Sequence, residues 1–111
     1  MVTDALIQAL PKTDLHVHLD GSLRVPTLIE LARDANVALP STTVEGLCEE
    51  VFKPTYANLP EYLAGFSYTV AALQTAEALE RAAYELAWDN IDEGVRYVEV
   101  RFAPHLHMHQ G

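Results

Sequence analysis

Polar and apolar residues alternate without a break in TDLHVHL, residues 13–19: Asp14, His16 and His18 fall on one side, and Leu15, Val17 and Leu19 on the other. A period of two marks a half-buried strand. Past the DGS that follows, the period changes. Pro26 suits the first turn of a helix, and Leu28, Leu31, Ala32 and Ala35 recur at helical spacing, which predicts a helix over residues 25–36. VEGLCEEV predicts a short helix after the connection VALPSTT, and the two prolines of KPTYANLP interrupt the pattern again. From Pro60 the stretch EYLAGFSYTVAAL is helical to about Gln74, with Tyr62, Leu63 and Phe66 clustered. Thr75 is a good N-cap with Glu77 in the first turn; Leu79, Ala83 and Leu86 make a stripe, and Gly94 stands where a helix ends. VRYVEVRF then sets Tyr97, Glu99 and Arg101 against Val98, Val100 and Phe102 until Pro104 stops the strand.

Strand, helix, helical excursion, long helix and strand make a βα unit with an insertion, leading into a second, parallel strand. Both strands carry ionisable groups on one face and aliphatics on the other, which suits a barrel whose helices cover the outside. The fold class is therefore α/β, the N-terminal part of a TIM (β/α)8 barrel with about two strands and an inserted helical segment. An open doubly wound sheet is the runner-up, but its glycine-rich phosphate turn has no counterpart. A full barrel takes about 250 residues. The 111 residues read as an incomplete portion, 1–111, of one barrel domain, ending beside a strand that needs a neighbour.

Sixteen acidic and seven basic residues give a formal charge of −9, which disfavours polymeric nucleic acid and anionic membranes as partners. A lone cysteine, Cys48, rules out an intrachain disulfide and points to a reducing compartment; its expected role is that of a small buried apolar residue. MVTDALIQALPK has neither the basic start nor the apolar run of a signal peptide or membrane span, so a cytoplasmic location is expected.

Two imidazoles at i and i+2 on a strand project to one side and can share a cation, with zinc the natural guest. Taken alone, His-x-His is more often structural than metal-binding. Its surroundings change the balance. KTDLHVHLDGS, followed after a long helix by EGVRYVEVRFAPH, resembles adenosine deaminases of the amidohydrolase superfamily, over nearly the whole chain and with both motifs in order.

The resemblance implies a zinc-dependent barrel that hydrolyses the 6-amino group of adenosine, and of 2′-deoxyadenosine, to give inosine or deoxyinosine and ammonia in purine salvage. His16 and His18 would be the first two Zn2+ ligands, the ion lowering the pKa of the attacking water. His18 and Asp20 would contact the ribose 5′-hydroxyl. HLDG rather than HLEG favours a nucleoside over adenine or aminofutalosine, the substrates of sister enzymes. Leu59, Tyr62 and Phe66 would wall the small-molecule nucleoside, although periodicity alone assigns these and Leu63 to the core. Gly21 would let the backbone turn closely past the ligand.

Glu99 and Arg101 are expected to brace each other, and Asp14 to support the histidines from their own face. His105, His107 and His109 lie beyond Pro104, in a stretch that is not metal-binding in the family. A third histidine, an aspartate, a catalytic glutamate and another histidine would come from later strands. No catalytic residue is assigned within residues 1–111, the remainder of the barrel is needed, and the isolated chain is expected to be inactive. A non-catalytic metal-binding remnant is the alternative.

Overall fold

The computed structural model describes residues 1–109. In order it comprises α1 (Asp4–Ala9), β1 (Lys12–His18), α2 (Val25–Asp34), α3 (Val44–Glu50), α4 (Leu59–Ala72), α5 (Ala76–Asp92), β2 (Val95–Arg101) and a closing 3-10 turn (Pro104–His107). The two strands pair in parallel, with α2 to α5 as the crossover between them. No described helix is long and apolar enough to cross a membrane.

Helix starts follow local capping chemistry. Thr3, Thr43, Asn58 and Thr75 each accept a hydrogen bond from a backbone N–H in the first turn of α1, α3, α4 and α5 respectively. At α4, Glu61 also reaches back to accept from the Ala57 N–H at 2.6 Å and from Lys53 Nζ at 2.7 Å. This fixes the turn that carries Tyr62. Gly94 ends α5 with φ +78°, and a Cβ there would lie 3.2 Å from both the Gln8 carbonyl and Lys12 Nζ. Glycine is demanded by conformation and by space.

The core lies between the strands and their helices, where Leu19, Leu73, Ala78, Ala82 and Leu86 form one buried cluster. Leu28, Ala32 and Ala72 form a second, joined to the first through Leu23 and Leu31. Helix α5 buries Ala78, Ala82, Leu86 and Asn90, a stripe that shares only Leu86 with the expected Leu79–Ala83–Leu86. Leu79 packs at the cluster's edge and Ala83 is exposed.

The pairing corrects the reading of the first strand. Asp14 lies opposite Val98 and Val17 opposite Val100, so β1 takes three steps where β2 takes two. The extra residue is a β-bulge at Leu15 and His16, where His16 has φ +156°. A bulge reverses the alternation on one side of it. Asp14 therefore shares the aliphatic side of Val98 instead of the histidine face, and Leu15 is exposed. Two further expectations fail on exposure. Cys48 lies on the open side of the short helix α3, whose buried residue is Leu47. Glu99 and Arg101 are both exposed; the Glu99 carboxylate accepts from the Tyr97 hydroxyl at 2.8 Å, and no Glu99–Arg101 ion pair forms among the described residues.

Helices α2 and α5 are joined by a charge network centred on Glu85. Its Oε2 accepts from the Thr27 hydroxyl at 2.7 Å and its Oε1 from Arg81 Nε at 3.0 Å, while Arg81 also meets Glu30 and Arg24 meets Asp89. Burial alone would raise the Glu85 carboxyl, but the Thr27 hydroxyl and the two guanidinium groups outweigh it and hold it below the ordinary glutamate value. A carboxyl lowered on folding stabilises the fold above its unfolded pKa of about 4.3, and that contribution is lost as pH falls through the lower folded value. Denaturant melts are therefore expected to find Glu85→Gln less stable than the parent chain near neutrality. The difference should shrink as the pH drops below about 4.

Candidate functional site

β1 ends in a tight turn that anchors His18. Its carbonyl accepts from the Gly21 N–H at 3.1 Å and from the Ser22 hydroxyl at 2.7 Å, and the Leu19 N–H donates to the Arg101 carbonyl across the sheet at 3.0 Å. A Cβ at Gly21 would meet the Phe66 ring at 3.2 Å. The turn passes so close to α4 that a side chain there must displace Phe66.

Despite the bulge, His16 and His18 converge, with Nε2 atoms 3.2 Å apart and ring centroids 5.1 Å apart. Two nitrogens each about 2.0–2.1 Å from a tetrahedral zinc ion lie roughly 3.3 Å from one another, so the spacing fits a shared ion. The donor chemistry fits as well: both atoms are imidazole nitrogens, and no ion has to be excluded from a packed core because both residues are exposed. Among the described residues no third His, Cys, Asp or Glu joins them to complete a cluster. Among the described residues the pair offers two donors and no more.

Asp20 lies next to this pair and is buried. Its Oδ1 has no hydrogen-bond partner among the described residues, and His18 Nδ1 stands 4.0 Å away, too far to donate. Edge-to-face aromatic contacts run outward from His18 through Phe66 at 6.2 Å and Tyr62 at 5.8 Å to Tyr56 at 5.2 Å. His18, Phe66 and Tyr62 of this chain frame a groove of about 490 Å³, within the range of small-molecule sites, between α4 and the end of β2. His18, Asp20, Tyr62, Leu63 and Phe66 line it from one side, and Arg101, Phe102 and Leu106 from the other. A smaller cavity of about 90 Å³ adjoins it behind Asp20, walled by Phe52, Tyr56, Tyr62 and Phe66.

Of the residues selected from sequence, His16, His18, Asp20, Tyr62 and Phe66 thus come together. Leu59 does not: it stands 65% exposed at the start of α4 and lines neither cavity. Tyr62 and Leu63 are also too exposed for the core that periodicity suggested. Sequence reasoning missed Phe52 and Tyr56, which sit in a proline-rich connection without periodicity. It also missed Phe102 and Leu106, which earn their place only by the pairing of β2 with β1. The terminal histidines make no cluster: His107 is buried with Nδ1 2.7 Å from the Leu73 carbonyl, and His105 and His109 are exposed.

Comparison with known proteins identifies relatives of this chain. The family model for adenosine deaminase matches residues 11–111. An adenosine deaminase of Shewanella woodyi is 48% identical over 105 residues, covering 94% of this chain and 32% of the relative. One from Vibrio vulnificus is 50% identical over 103 residues, covering 92% and 31%. A solved structure, the ADAL-IMP complex, superposes with a TM-score of 0.67 at 30% identity over 94% of this chain and 31% of its own. The chain thus spans less than a third of the length of these relatives, and its two parallel strands with their helices are part of a TIM barrel. By the family match over 11–111 and the relatives that share it, the chain belongs to the adenosine deaminase family.

Proposed function

We propose that the protein carrying this chain hydrolyses the 6-amino group of adenosine, and of 2′-deoxyadenosine, to inosine or deoxyinosine and ammonia, with residues 1–111 forming the N-terminal portion of a single barrel domain. The observation that carries this is the pair of imidazole nitrogens 3.2 Å apart at one end of an apolar groove, beside a buried carboxylate whose Oδ1 lacks a donor among the described residues. Family membership supports the reaction class, and the IMP held by the solved relative supports a purine-sized guest.

In this reading His16 and His18 hold the metal, which we assign as zinc from the imidazole donors and their spacing. Zinc, when bound, supplies a water acidified toward neutral pH. His18 and Asp20 orient the sugar, Asp20 accepting from the 5′-hydroxyl. Tyr62 and Phe66 exclude water from one face of the base, while Leu59, which lines neither cavity here, would reach the nucleoside only if the start of α4 moved toward it. The single exposed thiol of Cys48 and the acidic surface fit a cytoplasmic enzyme of purine salvage.

The test is direct. The complete polypeptide that carries this chain should convert adenosine to inosine faster than it deaminates adenine or aminofutalosine, followed by ultraviolet difference spectra. Residues 1–111 alone should convert none, since two imidazoles lack the remaining ligands and the acid–base partner. Turnover by the short chain would overturn the assignment of a divided site. Failure of the complete polypeptide on adenosine would overturn the assignment of substrate.

A further inference from the structure

Three hydrogen bonds link the end of α4 to the segment after β2, away from the histidine pair, and the Gln74 amide also donates to the Val70 carbonyl within α4 at 2.7 Å. The Gln74 amide donates to the Leu106 carbonyl at 2.9 Å, and its oxygen accepts from the His109 N–H at 3.0 Å. His107 Nδ1 lies 2.7 Å from the Leu73 carbonyl, which can only accept, so Nδ1 is the donor. The ring is buried against Phe102, with centroids 5.7 Å apart.

These bonds join the two walls of the groove. Phe66 and Val70 line one wall from α4, and Phe102 and Leu106 line the other from the chain leaving β2. Leu106 is one of the residues the clamp holds, since the Gln74 amide grips its carbonyl, and His107 and His109 are held just after it. Beyond the clamp, direct packing between α4 and the closing turn is slight, so side-chain hydrogen bonds rather than a shared core set the separation of the walls. The Gln74 amide reproduces one rung of a strand ladder, donating to and accepting from an irregular segment that would otherwise leave both groups to water.

We propose that Gln74 and His107 are positioning residues that set the width of the nucleoside groove and thereby the affinity for the base. This inference rests on the deaminase reading above. Neither side chain lines the groove itself. Their loss is expected to weaken ground-state and transition-state binding alike, which raises KM and leaves kcat nearly unchanged.

The experiment measures KM and kcat for adenosine in the complete polypeptide and in its Gln74→Leu, His107→Leu and His107→Asn variants, with amide hydrogen exchange of residues 103–109 in each. Asparagine keeps an N–H close to the place of Nδ1. Gln74→Leu and His107→Leu should each raise KM about tenfold with kcat within about threefold of the parent, and exchange across 103–109 should quicken. His107→Asn should recover most of the KM. An unchanged KM in a folded Gln74→Leu protein would overturn the proposal, as would His107→Asn behaving no better than His107→Leu. Should His107→Leu fail to fold, the half-exposed Gln74 position decides the matter by itself. A parent protein inert toward adenosine would overturn the functional reading and the proposal together, a result distinct from a parent and variants of equal KM.

Discussion

Replacing His16 or His18 by alanine in the complete polypeptide is expected to lower metal content and kcat together, each by at least about 100-fold, with the double variant hardly worse than either single one. The magnitude follows from the role. Partners that merely orient a ligand already cost roughly 10- to 100-fold when removed, and a ligand itself should cost more. Near-equality of single and double variants is the mark of groups that act as a unit. Both residues are exposed among the described residues, so any fall in melting temperature should track the loss of bound metal and not a loss of packing. Metal analysis of the purified variants, read beside their melting temperatures, separates this from a structural pair. Nitrogens 3.2 Å apart are also the two ends of a hydrogen bond between unlike tautomers. If that were their whole purpose, the alanine variants would keep their metal and their turnover.

The histidine pair was legible in the sequence because a strand's period puts i and i+2 on one side, and the turn that follows keeps them at the strand's end. What alternation could not reveal is the bulge one step earlier. Counting along β1 treats every residue as paired, whereas the ladder with β2 skips one, and only the partner strand shows where. The error therefore fell on Asp14 and Leu15, upstream of the skip, and spared His16, Val17 and His18. Burial misled in a different way. Periodicity ranks Leu59, Leu63 and Ala83 as core from their spacing, but spacing does not say whether a neighbouring element arrives to cover them, and in these 109 described residues none does. Helix α1 lacked both signals, being six residues long with none buried, and is held instead by its Thr3 cap and by Gln8 reaching the Asp92 carbonyl at 3.0 Å. His105, His107 and His109 show the opposite failure: regular spacing suggests a cluster, and the 3-10 turn disperses it, burying His107 alone.

Asp20 should trade stability for binding. Its Oδ1 is buried without a donor, a condition that costs about 1–3 kcal/mol until some group donates to it. Removing the carboxylate by Asp20→Ala in the complete polypeptide is therefore expected to leave the melting temperature unchanged or raised. Binding should suffer in the other direction. A hydroxyl donating to a charged acceptor contributes about 1.5–3 kcal/mol, so kcat/KM for adenosine should fall roughly 10- to 150-fold. The identity of the donor can be read from a thermodynamic cycle. 5′-Deoxyadenosine, which lacks the 5′-hydroxyl, should be a poor substrate for the parent protein by a similar factor, and Asp20→Ala should worsen it little further. If instead the variant melts earlier and loses kcat/KM equally on both substrates, Asp20 holds the turn after β1 together. The donor it lacks in this structure then comes from the rest of the barrel and not from a nucleoside.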